Sequence, residues 1–206
     1  MKQPIITNTR TLHKVSSEVD VKKDFSEYLG QLIIDMKDTL NAEPTGIGLS
    51  AIQLGVPKRV IVMKYSTPKG ANLVTYINPI ISGGSKEMTM SIEGCLSIPG
   101  KEYLMVRHQG IEVFYQTPMG KYQSVRMTGF VARAFQHEYD HLSGVLIKDV
   151  GLEYTDDIRM FSKEDLAKYL ADYQQKQMEE AEAKKLKKKK KKSKNTEQKV
   201  EEDKND

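Results

Sequence analysis

The sequence predicts an α+β fold, with antiparallel β-sheets packed around a central HExxH-bearing helix, an N-terminal helix before them and a C-terminal helix after. Three observations carry that reading. Apolar residues recur at steps of three and four early in the chain. Short β-branched segments separated by turn residues fill its middle. A glycine-bounded segment with helical spacing follows them.

The elements follow in order. Residues 1–20 read as an extended leader. Phe25, Leu29, Leu32, Ile33, Met36 and Leu40 define one apolar helical face, which residues 41–44 bring to a stop at Pro44. A glycine-bearing loop is expected over 45–55. RVIVMK (59–64) and IEVFYQ (111–116) are short, β-branched or aromatic. In the second, Ile111, Val113 and Tyr115 occupy alternate positions, as one face of a half-buried strand requires. Turns are expected at TPKG (67–70), SGGS (82–85) and TPMG (117–120). Links this short cannot hold helical crossovers, so the strands should be antiparallel. A helix over 130–142 puts Phe130, Ala134, His137 and His141 on one stripe, between Gly129 and Gly144. A last helix is expected over about 162–182, with Ser162 and Asp165 as a capping box. Leu166, Tyr169, Leu170 and Tyr173 supply its apolar stripe.

The chain has 206 residues, room for one domain and an appendage. It is 38% hydrophobic and 29% charged, low for a wholly folded chain, so part of it should lie outside the core. The net charge of +4 resides in residues 174–206, which carry 12 Lys against 8 Asp and Glu; residues 1–173 balance. Nine of the eleven residues 184–194 are lysine, and their mutual repulsion should leave that segment disordered when free. Any attraction to an acidic partner should come from this tail. Two parts are therefore expected, a folded domain over 1–173 and a charged extension over 174–206, disordered beyond about 183. Cys95 is the only cysteine, which excludes an intramolecular disulfide and fits a reducing compartment. No apolar run reaches the ~18 residues that span a bilayer, and the N-terminal stretch lacks a secretory h-region. The expectation is a cytoplasmic protein with no membrane contact; an organellar location stays open.

The sharpest chemical signal is His137-Glu138-Tyr139-Asp140-His141. Helical residues four apart share a face, so both imidazoles can bind one metal ion while Glu138 lies beside it as a general base. The alternative is two surface histidines on an acidic helix. A hydrolytic centre needs three protein ligands and an open position, and the third ligand must come from elsewhere. The only thiol lies in EGCLS (93–97), where Gly94 permits close backbone approach to Cys95. A buried inert cysteine is the plain alternative, but beside HExxH a Cys-His-His site is the better reading. The third element is GIGLSAIQ (46–53). It lacks the third glycine of a dinucleotide fingerprint and the Gly-Lys-Ser/Thr of a phosphate loop. Its glycines would let a peptide backbone approach closely. Gln53 can donate an amide hydrogen bond to a developing oxyanion; by itself it would read as an exposed glutamine at a helix start.

Taken together, GIGLSAIQ, EGCLS and QHEYDHLSG (136–144) resemble the three motifs of the peptide deformylase family, in the family's order, and the resemblance covers about residues 5–149. It implies a metal-dependent hydrolase that removes the formyl group from the N-terminal formylmethionine of new polypeptides and releases formate. It implies Cys95, His137 and His141 as metal ligands and Glu138 as the carrier of protons between water and the leaving amine. Gln53 and the backbone N–H of Leu96 would hold the formyl oxygen. Ile47 and Gly48 would contact the substrate, and Gly94, Phe130, Arg133 and Ala134 join them as pocket candidates, each equally open to ordinary packing. Glu93 would pair with Arg107 beneath the site; read alone, these are two ordinary surface charges. One divalent ion per chain is implied, Fe2+ physiologically, while two His and one Cys also suit Zn2+, Ni2+ or Co2+. N-formylmethionyl nascent peptides are the implied partners of a monomer.

The chain departs from the family pattern at two positions and in its tail. Ser50 stands where the family usually has alanine and could donate an extra hydrogen bond, and Glu102 stands where some bacterial members carry a basic residue. The lysine-rich extension is not a general family feature; it suits a ribosome or its RNA through non-specific phosphate contacts, without aromatic residues for base stacking. Two rival readings remain. A zinc endopeptidase shares HExxH but needs a later third ligand, and no histidine follows His141. A ribosome- or RNA-binding protein would use the lysine tract and keep a vestigial metal site.

Overall fold

The computed structural model describes residues 1–68, 70–155, 162, 164, 165, 168, 169, 172 and 176. The chain divides into two units, Met1–Thr155 and Asp156–Asp206. The first holds two antiparallel sheets. One has five strands in the order β1 (Gly48–Ser50), β2 (Val60–Thr67), β3 (Gly70–Gly84), β6 (Gly110–Gln116) and β7 (Tyr122–Thr128). The other has three, β4 (Met88–Cys95), β5 (Ile98–His108) and β8 (Leu152–Glu153). The helices are α1 (Thr9–Leu12), α2 (Val21–Asp24), α3 (Gly30–Ala42), α4 (Gly129–Leu142) and α5 (Ile147–Val150). A π-helical turn, Phe25–Leu29, joins α2 to α3.

The five-stranded sheet has a core on each face because β2 is apolar at every position of its first half. Side chains alternate across a strand. Val60 and Val62 therefore join Leu29, Leu32, Ile33, Met36 and Leu40 of the N-terminal helical region. Ile61 and Met63 join Tyr76, Ile111, Val113, Met127 and the α4 residues Ala132, Phe135 and Leu142. The expected helical stripe is buried from Leu29 to Leu40; the side chain of Phe25 lies outside the described residues.

Four local expectations need correction. The leader contains one helical turn, α1, because the Asn8 side chain accepts the Arg10 N–H and caps it. The loop expected over 45–55 holds β1 and a 3-10 turn, Ala51–Leu54, because the loop's first half pairs with β2 from Gly48↔Met63 to Ser50↔Ile61. Ser82, Gly83 and Gly84 form no turn; they end β3, with Gly83 opposite Glu112 and Gly84 opposite Ile111 across a bulged register. The buried face of α4 is also rotated from the expected stripe: Phe130 is 58% exposed and Ala134 half-buried, while Ala132, Phe135 and Gln136 turn inward with the HExxH residues.

Of the last helix, Glu164, Asp165, Lys168, Tyr169, Asp172 and Lys176 are helical. Its capping box is formed: Asp165 N donates to Ser162 Oγ at 3.1 Å, and Ser162 N to Asp165 Oδ2 at 3.1 Å. Leu166, Leu170, Tyr173 and the lysine run lie outside the described residues. Among the described residues no helix is long and apolar enough to cross a membrane.

Candidate metal centre

Two short connections bring the chemical residues together. β7 runs straight into α4 through Gly129, whose φ of +60° a side chain would strain. The helix then carries His137, Glu138 and His141 inward, all under 10% exposed. β4 and β5 meet at a two-residue turn, Leu96 and Ser97, where Cys95 pairs with Ile98. The cysteine is thus the last strand residue before a tight reversal, which fixes its thiol against α4. Cys95 Sγ lies 3.3 Å from His141 Nε2. One ligand atom from each of Cys95, His137 and His141 lies within 4.8 Å of the others.

That donor set fits a divalent ion. Bonds of about 2.0–2.3 Å in tetrahedral geometry place ligand atoms about 3.5 Å apart, and three protein ligands leave a position for water. His137 Nδ1 is 3.2 Å from Glu93 Oε2, which leaves Nε2 for the cluster. Arg107 grips Glu93 with two bonds, Nε to Oε1 at 2.7 Å and Nη2 to Oε2 at 3.0 Å, and gives Nη1 to Asp140 Oδ2 at 2.8 Å. Arg107 is 5% exposed, so this is a buried support rather than a pair of surface charges.

The electrostatics follow from burial and these partners. Burial opposes charge on His137, yet its bonds to Cys95 and Glu93 outweigh that and push it up to about 10. Ligation through Nε2 requires the ring to release that proton, so ion binding should weaken as pH falls. Burial lowers His141 well below its ordinary value, assisted by the positive charges of His137 and Arg107. Burial raises Glu138, against the opposing charge of His137 and a bond from Ser50. A buried carboxyl with a raised pKa holds a proton more readily than an exposed one and is suited to accept and return it.

Gln53 is 1% exposed, not the surface glutamine that its position in the chain suggests. Ser50 N–H donates to its Oε1 at 2.8 Å, and this determines the amide orientation. Gln53 Nε2 then points at Ser97 Oγ, 3.2 Å away, and at Cys95 Sγ, 3.9 Å away. Gly48 is required by close approach: a Cβ there would sit 2.5 Å from Glu138 Cγ and 2.8 Å from Oε1.

The remaining candidates are placed less centrally. Ile47 and Ala134 are half-buried against one cluster, the one containing Ile61 and Phe135. Leu96 packs against a second cluster, the one containing Leu40 and Leu49. Gly94 is exposed, with open space where a Cβ would be. Phe130 is exposed with the Arg133 guanidinium 5.8 Å from its ring centre. Sequence reasoning assigned nothing to Asp140 or Ser97, although Asp140 lies three residues beyond His137 and hence on a neighbouring helical position.

The polypeptide deformylase family model matches residues 2–157. A peptide deformylase of Finegoldia magna is 35% identical over 168 residues, 82% of this chain and 96% of that protein. One of Rhizobium meliloti is 38% identical over 167 residues, 79% and 93% of the two. A Met-Ala-Ser-bound crystal structure of a class I type b peptide deformylase from Acinetobacter baumannii matches with a TM-score of 0.66 at 32% identity. It covers 72% of this chain and 98% of that one. A probable peptide deformylase from Synechococcus phage S-SSM7 matches with a TM-score of 0.62 at 38% identity, covering 72% and 99%. The matched residues include the whole cluster of Gln53, Cys95, His137, Glu138 and His141, and the chain belongs to the polypeptide deformylase family, hydrolases that remove the N-formyl group from nascent polypeptides.

Proposed function

We propose that Glu138 carries the protons of this deformylation and that Cys95, His137 and His141 hold one ferrous ion as the physiological metal. The supporting observation is the buried convergence of one thiol and two imidazoles beside a carboxylate of raised pKa. Zinc, nickel and cobalt suit the same donors. When bound, the ion supplies a water acidic enough to yield hydroxide near neutral pH. Glu138 accepts a proton from the water that attacks the formyl carbon. Gln53 Nε2 and the Leu96 N–H hold the oxygen as it gains negative charge, each such donor contributing about 3–4 kcal/mol. The C–N bond then breaks, Glu138 delivers its proton to the amine, and formate leaves.

Formate release from a formyl-Met tripeptide by anaerobically purified enzyme tests this. Activity should vanish in Glu138→Ala and on chelation, and metal analysis of the same sample names the ion. Full activity in Glu138→Ala would remove that residue from its role.

Ile47 and Ala134 are proposed to receive the methionine side chain, with Gly48 and Gly94 flanking the substrate backbone and Phe130 and Arg133 at the mouth. Their place on one cluster supports the first pair. Ile47→Ala and Ala134→Leu should each change KM for formyl-Met peptides; unchanged values in both would exclude them. A monomer is proposed, and sedimentation would reveal any dimer. The lysine tract at 184–194 is proposed to hold the enzyme near ribosomal RNA in the cytoplasm. Unchanged ribosome cosedimentation at low salt after deletion of residues 184–206 would defeat that.

A further inference from the structure

Ser50 ends β1, and its side chain points at the proposed proton carrier rather than into the core. Ser50 is fully buried at the end of β1. Its Oγ lies 2.7 Å from Glu138 Oε2 and 2.8 Å from the Glu138 carbonyl oxygen. A hydroxyl has one proton to give, and a buried carboxylate is the stronger acceptor of the two. The other carboxylate oxygen, Oε1, faces Gly48, where the missing side chain leaves room.

We propose that Ser50 is a positioning residue for catalysis: its hydroxyl anchors Glu138 Oε2, so that Oε1 is the oxygen left to receive and return the proton. This rests on the reading of Glu138 as proton carrier. The arrangement divides one residue's work between two atoms. The Ser50 N–H orients Gln53 through Oε1 of the amide, while the Ser50 hydroxyl orients Glu138. β1 thereby sets both the proposed oxyanion donor and the proton carrier. Alanine at position 50 would keep the first bond, which belongs to the backbone, and lose the second. The substitution therefore isolates the hydroxyl's contribution. A freed carboxylate would spread over several rotamers, and misorientation of a reacting group costs rate rather than affinity.

The test is steady-state kinetics of full-length holoenzyme on a formyl-Met tripeptide for wild type, Ser50→Ala, Glu138→Gln and the double variant, with metal content measured in each. The expected result is a roughly tenfold fall in kcat for Ser50→Ala, the weight of one hydrogen bond to a charged group. KM and metal content should stay at wild-type values. In the Glu138→Gln background, Ser50→Ala should cost nothing further, because a lost anchor matters only while the carboxylate is there to hold. A crystal structure of Ser50→Ala should show Glu138 in more than one rotamer. Wild-type kcat in Ser50→Ala, with Glu138→Gln strongly slowed but measurable, would overturn the proposal alone. So would an additive loss in the double variant, or metal loss in Ser50→Ala, since either marks a merely structural role. Undiminished activity in Glu138→Gln would instead overturn the underlying assignment of the proton carrier.

Discussion

His137 and His141 lie one helical turn apart and offer equivalent rings to one site, but the two sides of that site are built differently. Behind His137 is a charged layer. Glu93 meets Nδ1, Arg107 holds Glu93 at both oxygens, and Arg107 also ties down Asp140 on the same helix. Around Cys95, on the side that meets His141, the layer is apolar: Tyr103, Met105 and Ile147 are buried with the cysteine, and Ile98 packs on them. His141 Nδ1 is buried and has no hydrogen-bond partner among the described residues. Metal-binding histidines commonly give their second nitrogen to an acceptor that orients the ring. Here one ring is oriented by a carboxylate held in turn by a cation, and the other by helix geometry and packing. Such a site should respond to loss of charge on one side and to loss of volume on the other.

The largest effect should come from Arg107→Ala, which removes the cation shared by Glu93 and Asp140. Stranding a buried charge typically costs about 3–5 kcal/mol, and denaturant unfolding should show it. A loss below about 1 kcal/mol would mean that the layer behaves as a surface pair. Glu93→Gln keeps Arg107 paired with Asp140, so it should be gentler on stability and act on the metal. Competition with a chromophoric chelator should show roughly 10- to 100-fold weaker binding. Unchanged affinity would mean that His137 needs no orienting acceptor, and the contrast between the rings would lose its meaning.

On the apolar side, Ile147→Val should cost about 0.5–1.5 kcal/mol and leave metal affinity at the wild-type value. Weakened metal binding there would show that packing also sets ligand geometry. The smallest effect is in acid. Burial works against the Glu93 charge, but its bond to His137 and the Arg107 charge outweigh it and hold its pKa below the ordinary value. A carboxylate depressed on folding contributes stability that is complete above its unfolded pKa and is lost as pH falls through the folded one. The melting temperature should therefore decline on acidification below the ordinary carboxylate range, and Glu93→Gln should flatten that decline. Parallel curves would place the acid sensitivity elsewhere.

Much of the frame was legible from the residues. The step pattern from Leu29 to Leu40 and the alternation at Ile111 and Val113 are local consequences of helix and strand periods, and both segments bury as the periods require. The cluster of Cys95, His137 and His141 was legible because HExxH places its histidines one turn apart on whatever helix carries it, and because the chain has only one thiol. SGGS misled because glycine marks a bulge as readily as a turn, and only pairing with β6 distinguishes the two. Phe130 misled because it shares a helical stripe with the histidines, whereas the core is centred on Ala132 and Phe135.

The sequence by itself determined the α+β order, the apolar face of the N-terminal helix and the chemistry of the donors, since these depend on residue type and on spacings of a few positions. Only the tertiary structure decided that Gln53 is buried with its amide aimed at Cys95 and Ser97, that Arg107 serves two carboxylates, and that Ser50 reaches Glu138, 88 residues away in the chain. Those contacts join separate strands and helices. Their partners are chosen by which faces the core brings together, and a hydrogen bond made once the chain has packed leaves no periodic trace in the order of its residues.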